Sequence, residues 1–226
     1  MSYSIAEECA RMRNLVCRTL TVLAVGIVMS GVASGAETAQ EILEKVKAKY
    51  DGIADGELKF SQQVKFSMAN IEQRVNGTLF FKKENKYRVE LDAQTIVTDG
   101  ETVWSYSASN KQVLIDRFKS DERTLTPERI LTAAPSDFSA AVLGKEKIGK
   151  IDATVLKLVP RDEQSLIKTM KLWIDDSDWM MMKVELTDVN GKVTTYSVTD
   201  IRLNIGLPDS RFKYQIPEGT DVVDLR

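Results

Sequence analysis

Residues 96–116 read IVTDGETVWSYSASNKQVLID, and this stretch decides the fold. Asp99-Gly100 is a dipeptide that tolerates the positive φ values of a two-residue hairpin turn. Behind it, Thr102, Trp104 and Tyr106 share one face of a strand by the period of two. Residues 107–110 form a second turn, and 112–117 a further strand. Three strands joined by tight turns make an antiparallel meander. Strand-like segments flank it on both sides, so it reads as the centre of one strongly curved antiparallel sheet.

Working outward, the alternation is clearest at 58–68. Leu58, Phe60, Val64, Phe66 and Met68 fall on one face, opposite Lys59, Ser61, Gln63, Lys65 and Ser67. Gln62 is the polar residue on the apolar side, and a buried amide without a partner costs about 1–3 kcal/mol, so it requires a hydrogen bond. Segments 77–83 and 86–92 form the next pair around a turn at 82–85, with Tyr87, Val89 and Leu91 on one side. Phe80 and Phe81 are adjacent and point to opposite faces, so something outside the main core must cover one of them. After residue 146 strands return at 154–160, 167–175, 179–187, 192–204 and 211–217. An Asn190-Gly191 hairpin signal lies between two of them. Leu156, Leu158, Leu172, Ile174, Met182, Val184, Leu186, Tyr196, Val198, Phe212 and Tyr214 are the inward candidates.

Three helical pieces accompany the strands. Thr38-Ala39-Gln40-Glu41 is a capping box opening a helix whose apolar stripe is Ile42, Leu43, Val46 and Tyr50, ending near Asp51-Gly52. Thr126-Pro127-Glu128 starts a short helix that Pro135 breaks. Residues 139–143, ended by Gly144, read as a third. The last two pieces are too short to be stable alone and are candidates for a movable lid. Static connecting helices are the plainer reading. About eleven short strands and about three helices suit an antiparallel barrel or half-barrel better than a βαβ fold.

Residues 1–36 stand apart. Arg11, Arg13 and Arg18 precede an apolar run at 20–29, and Ser34-Gly35-Ala36 offers small residues at a cleavage site. This is the pattern of a secretory signal peptide, the run being shorter than the roughly 18–20 residues that span a membrane. An uncleaved N-terminal anchor is the alternative, and Met12 is a second possible start. Residues 37–226 then form a single exported domain.

Composition narrows the chemistry. The 226 residues are 43% hydrophobic and 28% charged with a formal net charge of -2, which is not the basic footprint of a nucleic-acid binder. There is no histidine, and both cysteines, Cys9 and Cys17, lie in the leader. Triads built on histidine and sites of His/Cys ligands are therefore excluded from the exported part. Asp175-Asp176-Ser177-Asp178 lacks the glycine and distal glutamate of a calcium loop and reads as a solvated turn. Asp99 and Asp116 could pair for acid–base work, but a turn and a strand end explain them. We expect no catalytic residue, no metal and no cofactor. What is in excess is apolar surface on one face of a curved sheet. Such a face leaves either a filled core or a cavity for acyl chains.

The residues resemble the LolA family of outer-membrane lipoprotein carriers. The resemblance rests on Phe60-x-Gln62; Gly77-x-Leu79-x-Phe81-Lys82; Val97-x-Asp99-Gly100-x-x-Val103-Trp104-x-Tyr106; Pro127-x-x-Ile130-Leu131; Leu156-x-Leu158-x-Pro160; and Phe212-x-Tyr214-x-x-Pro217-x-Gly219-x-Asp221-Val222-x-Asp224. It implies an incomplete, half-open antiparallel β-barrel covered by helices. It implies a monomeric carrier in the periplasm of a Gram-negative bacterium. The carrier takes acylated lipoproteins from an inner-membrane LolCDE-type ABC transporter and passes them to a LolB-type outer-membrane receptor. On this reading the acyl chains contact Leu58, Phe60, Val64, Phe66, Leu79, Phe81, Tyr87, Val89, Leu91, Trp104, Tyr106, Ile130, Leu131, Phe138, Leu158, Met182 and Val184. In the family an arginine after the Gly-x-Leu strand holds the lid through backbone carbonyls, and here Lys83 takes its place, a point donor without the planar fork. A lipid-binding sensor module, a carrier of another lipid and a lipid-acting enzyme are the alternatives.

Overall fold

A computed structural model of the chain describes residues 37–66, 71–118 and 136–226. Within them the chain forms a 12-stranded sheet and one α-helix, α1 (Ala39–Asp51). The strands are β1 (Asp55–Phe66), β2 (Ile71–Lys82), β3 (Lys86–Leu91), β4 (Gln94–Asp99), β5 (Thr102–Ser107), β6 (Gln112–Arg117), β7 (Phe138–Ile148), β8 (Ile151–Pro160), β9 (Ile167–Asp175), β10 (Met181–Asp188), β11 (Lys192–Leu203) and β12 (Asp221–Asp224). Their spatial order is β12-β6-β5-β4-β3-β2-β1-β11-β10-β9-β8-β7, so consecutive strands are neighbours save where β11 docks on β1 and β12 on β6.

The meander at 96–116 is β4, β5 and β6. Gly100 has a φ of 96°, and a Cβ there would sit 2.5 Å from the Glu84 carbonyl oxygen, so only glycine serves. Asp99 completes the turn by accepting hydrogen bonds from the amides of Glu101 (3.0 Å) and Thr102 (2.9 Å). The capping box of α1 forms as the sequence implies. Thr38 Oγ1 accepts from the Glu41 amide at 3.2 Å, and a Glu41 carboxylate oxygen accepts from the Thr38 amide at 2.8 Å.

Helix α1 lays Ile42, Leu43, Val46 and Tyr50 on the face formed by Leu156, Leu158, Met170, Leu172, Ile174, Val184 and Leu186 of β8, β9 and β10. That half of the concave face is a filled core. The Tyr50 hydroxyl accepts from the Met181 amide at 3.3 Å, which ties the last turn of α1 to β10. The opposite face carries two smaller clusters. One is Phe80 with Leu207 and Phe212, the other Ala153, Val155 and Trp173. Phe80 is thus the phenylalanine covered from outside the main core, and Phe81 packs toward α1.

The segment that covers Phe80 corrects one expectation. Residues 211–217 are not a strand: Asp209–Phe212 is a 3-10 turn followed by irregular chain. Its position is set by Asp55, 5% exposed, whose carboxylate accepts from the amides of Ile205 (2.8 Å), Gly206 (3.1 Å) and Leu207 (3.2 Å). The guanidinium of Arg211 lies over the Phe80 ring at 4.5 Å. The terminal strand is instead β12, which runs parallel to β6, so the sheet is not wholly antiparallel.

A second correction concerns residues 139–143. They belong to strand β7, not to a helix. Ala140 and Val142 stand opposite Leu158 and Leu156 of β8, and that ladder outweighs the weak helical preference of so short a run. Gly144, at φ 140°, does not end a helix but sits where the β7 register shifts. The expected lid helix at 126–134, Met68 and the leader with its cysteines lie outside the described residues.

Candidate functional site

The half of the concave face that α1 does not fill holds a cavity of about 390 Å³. Leu58, Phe60 and Gln62 of β1 and Leu79 of β2 form its base. Tyr87, Val89 and Leu91 of β3 with Gln94 and Ile96 of β4 form one wall. Met181 and Val184 of β10 with Tyr196 and Val198 of β11 form the other. No charged side chain is among these lining residues. The volume lies in the range of sites that enclose a small apolar ligand.

Each wall follows from strand parity. Leu58 faces Leu79, Leu79 faces Val89, and Val89 faces Ile96, so one row crosses four strands on one side. Gly77 makes the base continuous. A Cβ there would lie 2.6 Å from both Phe60 Cζ and Leu91 Cδ2, so the missing side chain lets these two groups meet across β2. Gly56 does the same for Phe81, whose ring would be 2.8 Å from a Cβ.

The polar side chains of the cavity, Gln62, Gln94, Tyr87 and Tyr196, are neutral, and Gln62 and Tyr196 satisfy each other. Gln62 Nε2 donates to the Tyr196 hydroxyl at 3.2 Å, the partner that the buried amide required. The Phe60 and Tyr196 rings meet edge to face at 5.9 Å. Burial raises the Tyr196 phenol above its usual range, only partly offset by the Gln62 hydrogen bond, and burial alone raises Tyr87. Both hydroxyls therefore stay protonated near neutrality. Among the described residues no group of three or more His, Cys, Asp or Glu side chains is placed to hold a metal. The arrangement can shelter a hydrocarbon, with two phenols and two amides to orient a polar head.

Of the residues expected to touch acyl chains, the cavity collects Leu58, Phe60, Leu79, Tyr87, Val89, Leu91 and Val184. Phe81, Phe138 and Leu158 lie in or against the helix-covered core. Val64 and Phe66 continue the same row of β1 beyond the cavity, Phe66 being exposed. Met182 is replaced in the lining by Met181, because the β9–β10 register shifts between Met181 and Lys183 and moves the alternation by one residue.

Trp104 and Tyr106 are not brought to the cavity. Trp104 pairs with Val97 and Ile115, Val97 with Arg88, and Arg88 with Phe80, which places the row on the opposite face. Tyr106 shares that face and lies 6.0 Å from the Tyr214 ring. Period-two alternation groups residues on a face but does not say which face is concave. Ile130 and Leu131 lie outside the described residues. Lys83 donates from Nζ to the Asp51 carbonyl at 2.9 Å, at the C-terminal end of α1, and the lid segment it was expected to hold also lies outside them. Gln94, Ile96 and Met181 are the lining residues that the alternation of single segments did not bring forward.

The family described as "Outer membrane lipoprotein carrier protein LolA" matches residues 54–215. A curated relative, an outer-membrane lipoprotein carrier protein of Chromohalobacter salexigens, is 24% identical over 183 residues, covering 80% of this chain and 85% of its own length. An uncharacterized protein of Methanocaldococcus jannaschii is 24% identical over 204 residues, covering 89% of this chain, and this chain spans only 58% of its length. Among solved structures, that of an uncharacterized conserved protein of Thermus thermophilus shares the fold at a TM-score of 0.55 and 17% identity, covering 82% of this chain and 98% of that one.

Proposed function

The chain belongs to the LolA family of outer-membrane lipoprotein carriers, and from that premise we propose that it is a periplasmic carrier, not an enzyme, for the acyl chains of lipoproteins. Residues 1–36 are removed on export and residues 37–226 do the work as a monomer. Cargo comes from an inner-membrane LolCDE-type ABC transporter and leaves to a LolB-type receptor at the outer membrane.

The observation that carries this reading is the uncharged 390 Å³ cavity beside a solid core on the same sheet. A methylene takes up about as much room as a water molecule, ~30 Å³, so the cavity holds on the order of a dozen carbons. Sheltering them from water is worth about 0.8 kcal/mol each, or roughly 10 kcal/mol in all. That suffices to carry one chain and gives no covalent step to perform. A cargo with three chains requires the cavity to widen, which suits a container with an opening lid.

Titration of the chain purified from the periplasmic fraction with a fluorescent fatty acid tests the proposal. Saturable binding is expected, and Val89→Asp, which places a charge in the wall, should abolish it while secondary structure by circular dichroism is kept. Absence of saturable binding, with no acylated lipoprotein co-purifying, would refute it.

A further inference from the structure

Strand β2 is longer than the neighbour it pairs with. On one side β1 accompanies it throughout, from Asp55 opposite Lys82 to Phe66 opposite Ile71, with no shift of register. On the other side β3 begins only at Gly77, opposite Leu91. Residues 71–76 therefore present a sheet edge with no strand against it among the described residues. At ~3.3 Å per residue this edge is roughly 20 Å long, and alternate residues turn their N–H and C=O groups outward along it.

The edge starts at the cavity. Gly77, at its inner end, is the position over which Phe60 and Leu91 meet, and both line the cavity. Beyond it the concave side continues as cross-strand pairs, Val64 with Gln73 and Phe66 with Ile71, the last two 39% and 51% exposed. An apolar shelf thus leads outward beside the open edge. The charges there are engaged within the β1–β2 pair, Glu72 with Lys65 at 3.8 Å and with Arg74 at 3.3 Å. The edge of β7, also without a further strand among the described residues, differs. It carries Lys145 and Lys147 and is broken by the shift at Gly144, devices that discourage pairing.

The geometry points to a second recognition element, resting on the carrier reading: the 71–76 edge binds, as an added β-strand, the extended peptide that directly follows the acylated residue of the cargo. A peptide whose acyl chain lies in the cavity against Phe60 and Leu91 has its next residues within reach of Gly77, where this edge begins. Main-chain hydrogen bonds read no side chains, so one edge serves cargoes of different sequence.

The test compares three probes on the chain purified from the periplasmic fraction: palmitic acid, a palmitoylated ten-residue peptide, and the same lipopeptide with alternate backbone amides methylated. Hydrogen–deuterium exchange at 71–76 should slow with the lipopeptide and not with palmitic acid, while β7 amides stay unchanged. The methylated analogue should bind at least tenfold more weakly. Equal affinity of the two lipopeptides and unprotected amides at 71–76, with palmitic acid still bound, would overturn the strand addition alone. Failure of every probe to bind would overturn the carrier reading with it.

Discussion

Replacing Gly77 by alanine adds one methyl group at the point where sheet and cavity meet. Its carbon would stand 2.6 Å from Phe60 Cζ, 2.6 Å from Leu91 Cδ2 and 3.0 Å from the Glu90 carbonyl oxygen. Carbon atoms in contact rest about 3.5–4.0 Å apart, so the two side chains must each retreat by about 1 Å. The Glu90 oxygen is backbone of β3 and has little freedom. Phe60 and Leu91 both line the cavity, so empty space lies on their retreat path. Overpacking a filled site costs about 1–3 kcal/mol, and here the lower part of that range applies because the displaced groups have somewhere to go. The volume they enter is lost to the ligand. We expect Gly77→Ala to lower stability by about 1 kcal/mol in urea denaturation and to weaken fatty-acid binding several-fold. Unchanged affinity would refute the placement of Phe60 and Leu91 at the cavity. A loss above about 4 kcal/mol would show that no space adjoins them.

Other parts of the molecule give separate readouts. Asp55→Ala leaves the amides of Ile205, Gly206 and Leu207 without their acceptor. The expected loss is about 3 kcal/mol by denaturation, with faster amide exchange at 205–207. Phe212→Ala empties the outer cluster around Phe80 and should cost about 3 kcal/mol while fatty-acid affinity stays unchanged, because that cluster lies on the face away from the cavity. Burial holds the Tyr50 phenol well above its ordinary value near 10, the Met181 hydrogen bond only partly opposing it. Its contribution is full below pH 10 and is lost as pH rises further, since the unfolded chain then gives up a proton that the folded one keeps. A Tyr50→Phe chain should therefore show a shallower fall in stability between pH 10 and 11.

Much of this was legible in the sequence because the information is local. The capping box at Thr38, the turn at Asp99-Gly100 and the need of Gln62 for a partner each depend on a few adjacent residues. So does the divergence of Phe80 and Phe81. What was not legible depends on distant pairing. Trp104 and Tyr106 form one row in any strand, but only the chain of partners through Val97 and Arg88 to Phe80 fixes the side on which they lie. Met181 displaced Met182 through a register shift that no hydrophobic pattern announces. Residues 139–143 became a strand because β8 offered them a ladder. Residues 211–217 left the sheet because Asp55 holds the loop that leads to them, through the amide of Ile205, 150 positions further along the chain.

The placement of the three tryptophans has a practical consequence. Trp104 and Trp173 stand on the outer face, and Trp179 leans toward α1 with the Lys45 ammonium 4.3 Å above its ring. None of them lines the cavity. Intrinsic emission will therefore follow unfolding and stay blind to occupancy, and an indole installed at Ile96 would make loading visible in the same spectrum.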